Sequence, residues 1–171
     1  RFLQPPRYQR KGVLMSPSIF YCKSWFRLKH RAIDPMDEAT ANALHLAKKP
    51  YTALIGSDSK PACFVEMILD KNMVGVGFLD DHQREYLTYQ FQCLDSETLF
   101  LTMATHREFD DAGKISVGTS YIFKESGELL IRREQLNPHK LEEAKSHFEP
   151  KDNYEKIPEF GDYSNVTKVN R

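Results

Sequence analysis

Long apolar runs, metal-ligand spacings and phosphate-cradling glycine loops are all missing from this chain of 171 residues. No stretch approaches the roughly eighteen uninterrupted apolar residues that a membrane-crossing helix needs. None follows the basic N-terminal residues as the apolar stretch of a secretion signal would. The expectation is a soluble cytoplasmic protein without a membrane partner. The three cysteines, Cys22, Cys63 and Cys93, are odd in number and set among apolar neighbours, which predicts buried free thiols rather than a disulfide framework. No nucleophile elbow, zinc spacing or helical His-Glu motif occurs, so neither enzyme activity nor a cofactor is expected.

Acid is absent from the first 33 residues, which hold eight of the 24 Lys and Arg and none of the 24 Asp and Glu. Residues 1–14 are rich in Pro and Arg and show neither helical nor strand period. They read as a flexible basic leader ahead of a natural start at Met15. The remainder is acidic and a poor partner for nucleic acid, whose phosphates demand Lys and Arg. Its length suits one β-rich domain over 15–171.

What the chain does have is period-two alternation. Leu87, Tyr89, Phe91 and Cys93 alternate with Thr88, Gln90 and Gln92, and Ile115, Val117, Thr119, Tyr121 and Phe123 with Ser116, Gly118 and Ser120. Each segment therefore presents one apolar and one wet face. Strands are predicted over 19–26, 51–55, 62–69, 73–79, 84–93, 98–107, 114–123 and 128–133, with Gly113 and Gly127 closing two hairpins. The fold expected is mainly β, an antiparallel meander of about eight strands closed into a barrel or strongly curved. The strands over 62–69 and 73–79 are apolar on both faces, and the second face is expected to lie under the helix or the C-terminal tail. A short helix should follow the first strand, with Asp34 as N-cap and Pro35 in its first turn. A second helix is predicted from Asn137-Pro138-His139 through Leu141 to Phe148. The tail beyond Pro150 has no period but carries Tyr154, Ile157, Phe160, Tyr163 and Val166, an aromatic content that predicts an extended segment packed on the sheet.

In a meander, alternate turns share an end, so Asp80, Asp81 and His82 should lie beside Asp110 and Asp111. Carboxylates on rigid turns produce a negative potential that steers a basic protein partner. These five residues, with Tyr154, Phe160 and Tyr163 of the tail, are the candidate partner-binding set. Two rival readings use the same sequence. Tyr89, Phe91, Met103, Tyr121 and Phe123 would line the interior of a lipocalin-like barrel around a small apolar ligand. The acidic turns would hold a divalent metal in a hydrolase.

The tail Asn153-Tyr154-Glu155-Lys156-Ile157-Pro158-Glu159-Phe160-Gly161-Asp162-Tyr163, the segment Lys23-Ser24-Trp25-Phe26 and the hairpin Phe109-Asp110-Asp111-Ala112-Gly113 together resemble small bacterial immunity proteins. Those proteins are encoded beside contact-dependent (CDI) and Rhs-type polymorphic toxins, and the likeness spans most of 15–171. It implies a cytoplasmic, non-enzymatic protein that binds and neutralises one cognate toxin domain, a nuclease being one such target. The basic leader departs from the pattern.

Overall fold

Alternating apolar and polar residues lay nearly the whole described chain into one antiparallel sheet. The computed structural model describes residues 16–171; the expectations for the 1–14 leader and Met15 lie outside the described residues. The elements in order are β1 (Ile19–Phe26), β2 (Arg31–Met36), α1 (Glu38–Leu46), β3 (Tyr51–Ile55), β4 (Cys63–Ile68), β5 (Met73–Leu79), β6 (Glu85–Cys93), β7 (Thr98–Phe109), β8 (Ile115–Phe123), β9 (Glu128–Leu136), β10 (His139–His147) and β11 (Tyr154–Lys156). Among the described residues these make an 11-stranded sheet ordered β10-β9-β8-β7-β6-β5-β4-β3-β1-β2, with β11 joining the N-terminal end of β7.

Three expectations are corrected. The sheet does not close into a barrel: β10 and β2 stand at opposite edges. Residues 139–147 are strand rather than helix, paired with β9 from His139↔Leu136 to His147↔Glu128. The segment around Asp34-Pro35 belongs to β2, and the helix starts one turn later, where Asp37 caps it by accepting from the Thr40 amide at 2.8 Å. Asp34 takes a left-handed backbone, φ 47°, within a hairpin that pairs Ser24 with Ile33 and Cys22 with Pro35. β2, β10 and β11 account for the strands beyond the expected eight.

The core lies on both faces of the half of the sheet made by β1 and β3–β7. On one face Tyr51, Ala53, Val65, Met67, Val74, Val76, Tyr89, Phe91, Leu99 and Leu101 are buried. They are covered by Ala41 of α1 and by Tyr163 and Val166 of the tail. The opposite face has a smaller core of Cys22, Trp25, Leu54, Phe64 and Leu79. Its cover is not the helix or the tail but the β1–β2 hairpin. Beyond Cys22 that hairpin leaves β3 and folds across β4, stacking Trp25 on Phe64 with ring centroids 6.5 Å apart. Burial pushes the thiols of Cys22 and Cys63 up to about 11 and about 12, so thiolate is scarce near neutrality.

Strands β8–β10 are built differently. They extend the sheet as a wing in which Val117, Tyr121 and Phe123 are half-buried and every residue of β10 is exposed. Cross-strand pairs, among them Arg133–Glu142 at 3.6 Å and Arg132–Glu143 at 3.7 Å, decorate it. Exposed pairs of this kind contribute little stability.

Candidate functional site

The β5–β6 and β7–β8 turns lie side by side at one end of the sheet, as meander parity dictates. In the first, Asp80 organises the backbone. Its Oδ1 accepts from the amides of His82 and Arg84, both at 2.9 Å, and its Oδ2 from Arg84 Nε at 2.8 Å. Partial burial pushes this carboxyl up, but the hydrogen bonds from Arg84 and His82 outweigh that and hold it below the usual carboxylate range. In the second, Asp110 Oδ1 accepts from the Lys114 amide at 2.9 Å. Gly113, at φ 78°, supplies the left-handed residue the turn requires. The two turns are clamped together because the Arg84 guanidinium lies 4.3 Å from the centroid of the Phe109 ring.

Asp81, His82 and Asp111 are exposed, and among the described residues neither Asp81 nor Asp111 has an ion-pair partner. The rim thus holds two carboxylates that fix its shape and two that face solvent. No group of three or more His, Cys, Asp or Glu side chains among the described residues is arranged to hold a metal ion.

The aromatic candidates do not join the rim. Tyr154 meets Phe100 edge-on at 4.9 Å and donates to Glu125 at 2.7 Å, which places it at the other end of the sheet. Phe160 stacks on Tyr21 at 5.0 Å beneath α1, and its ring is also 5.8 Å from that of His45. Tyr163 is 2% exposed, and its hydroxyl shares a 2.8 Å hydrogen bond with that of Tyr51. Phe160 and Tyr163 therefore spend their rings on the core. The residues proposed to line a barrel interior are also divided: register puts Met103 on the face opposite Tyr89, Phe91, Tyr121 and Phe123.

Two features were not read from the sequence. The first is a polar network on the hairpin-covered face. Arg27 bridges Glu66 and Glu85, each at 2.9 Å, Thr88 donates to Glu85 at 3.1 Å, and Arg107 donates to Thr88 at 2.6 Å. Burial works against the Arg27 charge, but the two carboxylates prevail and raise its pKa. Its visible signal was Glu66, a lone acid within the apolar Cys63–Ile68 strand. The second is a cleft of about 450 Å³ on the same face of the wing, lined by Thr105, Arg107, Gly118, Ser120, Arg132 and Glu134, with Ile115 and Leu136 at its rim end. No family model, curated protein or solved structure matches the chain.

Proposed function

We propose that this chain is a non-enzymatic immunity protein that binds one cognate toxin domain in the cytoplasm and neutralises it, using the acidic rim to meet a basic surface on that domain. The observation that carries the reading is the pair of clamped turns, which hold Asp81 and Asp111 outward beside Asp80 and Asp110. Carboxylates fixed before encounter meet a basic partner with little ordering cost and accelerate its association. The wing beside them supports the same reading, since among the described residues none of its side chains is fully buried and a three-stranded extension adds contact area. The resemblance to immunity proteins points the same way. The packing of Tyr89 against Phe78 and Phe91, at 5.2 and 6.2 Å between centroids, favours a filled core over a ligand chamber.

The reading requires that a neighbouring gene encode a toxin domain, and the test takes that domain as partner and replaces the rim. Asp80→Asn and Asp110→Asn retain a carbonyl oxygen for the turn amides, and Asp81→Ser and Asp111→Ser remove the outward charges. The fourfold variant should melt within a few degrees of the parent, associate about tenfold more slowly at low salt and lose most of the salt dependence of its on-rate. An unchanged on-rate with unchanged salt dependence would place the contact surface elsewhere.

A further inference from the structure

The cleft on the wing is built by register rather than by sequence proximity. Across β7, β8 and β9 the pairing sets Arg107 opposite Gly118 and Gly118 opposite Glu134, and one step along sets Thr105 opposite Ser120 and Ser120 opposite Arg132. Two cross-strand rows result. One is Arg-Gly-Glu, the other Thr-Ser-Arg. The Thr105 and Ser120 hydroxyls hydrogen-bond to each other at 3.0 Å. Gly118 is the floor, and a Cβ built there meets no heavy atom within 4 Å, so the missing side chain leaves open space between the two charged neighbours.

The charges in this cleft are unequally satisfied. Glu134 lies 3.0 Å from His139, and Arg132 lies 3.7 Å from Glu143 on β10. Arg107 is half-buried and donates one hydrogen bond, to the Thr88 hydroxyl. Among the described residues no carboxylate lies within ion-pair reach of it. A guanidinium offers five N–H donors in a planar fork suited to a carboxylate. With Arg107 and Arg132 set against Glu134, the lining carries a single net positive charge, which matches a monoanion better than a phosphate dianion. Ile115 and Leu136, 40% and 48% exposed at the mouth, offer apolar contact to a carbon stem.

We propose that this cleft is a binding subsite for a carboxylate on a short aliphatic stem, with Arg107 as the principal anchor, Ser120 and Arg132 as further donors and Gly118 as the floor that admits it. Two sources share that chemistry: a free alkyl carboxylate, and a glutamate or aspartate side chain of a bound polypeptide. The assignment does not depend on the acidic rim, and the fourfold rim variant should retain it.

The test is an amide-resolved NMR titration of the full chain with hexanoate, with a capped glutamate-rich peptide and with inorganic phosphate. Saturable shifts at Gly118 and Ser120 are expected with a carboxylate probe, and phosphate should not saturate over the same range. Saturation by hexanoate identifies a free acid as sufficient, and saturation by the peptide alone identifies an acidic side chain. Arg107→Gln should weaken binding about tenfold or more. Gly118→Val places a strand-compatible side chain in open space, so it should keep a dispersed spectrum and an undiminished melting temperature while losing saturable binding. The proposal is overturned if neither carboxylate probe saturates, if phosphate binds as tightly, or if both variants bind like the parent.

Discussion

Gly77 lies beneath the ring of Phe64. A Cβ there would overlap Phe64 Cζ and come within 2.5 Å of its Cε1 and 2.9 Å of a Glu85 carboxylate oxygen. Phe64 is 1% exposed and held by Trp25, so it has nowhere to retreat. Gly75, two residues away on the same face, would meet the end of the Glu66 side chain at 3.2 Å, an atom that moves cheaply. Gly77→Ala should therefore cost about 1–3 kcal/mol by overpacking, and Gly75→Ala clearly less. Urea midpoints of the two variants, measured together, check the contrast, and equal losses would mean that the ring shifts freely. His45 gives a pH-dependent counterpart. Burial holds its imidazole below the ordinary range, and its Nδ1 is 2.9 Å from the Tyr51 hydroxyl. The unfolded chain takes up this proton first, so the contribution of neutral His45 is complete above about pH 6.5 and is lost as pH falls towards the folded-state value. His45→Gln should flatten the fall in urea midpoint on acidification. An unaltered slope would assign that fall to other groups.

At the scale of elements, the central strands were legible because the core enforces their pattern, β3–β5 as short apolar runs buried on both faces and β6 as an alternating strand buried on one: β3–β8 follow the predicted segments to within a residue or two. β10 was not legible. His139–His147 is exposed on both faces, so no burial pattern marks it as a strand. Its Lys, Glu and Ala favour a helix, and Leu141 and Phe148 fall at helical spacing. What decides its state is the backbone ladder offered by β9, a non-local partner that outweighs intrinsic propensity. β2 was hidden for a related reason: Asp34-Pro35 and Asp37 both carry capping chemistry, and only pairing with β1 selects between them. The rim was readable since turn residues and strand parity are local facts. The cleft was not, because register shifts at Gln90/Phe91 and Glu108/Phe109 reset which β7 residues share a face. The tail acts as a structural element without regular period. Tyr163→Ala should cost about 3–5 kcal/mol, as for other buried aromatics. Tyr163→Phe, losing the hydroxyl and with it the bond to Tyr51, should cost about 0.5–1.5 kcal/mol. Chemical denaturation of the pair separates packing from hydrogen bonding, and a negligible loss in both would mean that the tail is not part of the cooperative core.

Over the whole molecule, apolar burial divides the sheet into two halves of unequal stability. β3–β5 have buried side chains packed on both sides, between α1 and the tail on one face and the β1–β2 hairpin on the other, and β6 is buried on the first of these faces. Among the described residues β8–β10 have no fully buried side chain, and their apolar packing is limited to half-buried Tyr121 and Phe123 at the edge of the core, with Phe148 against Phe123. Leu136 and Leu141 remain 48% and 42% exposed, and the outermost strand is held by its ladder to β9 and by exposed ion pairs. Backbone hydrogen bonds without apolar cover open locally at much lower free energy than the core does. Native-state hydrogen exchange should therefore give amides of Val65, Val76 and Tyr89 protection that tracks global unfolding, whereas those of β9 paired with β10 exchange through local opening and stay nearly insensitive to low denaturant. Uniform protection across the sheet would show that the wing unfolds only with the core. The same measurement bears on function. A toxin domain seated on the rim and the adjoining wing should slow exchange in β8–β10 and at the two acidic turns while leaving the already protected core unchanged. A partner whose binding protected α1 or the tail instead would move the interface to the opposite face and remove the rim from it.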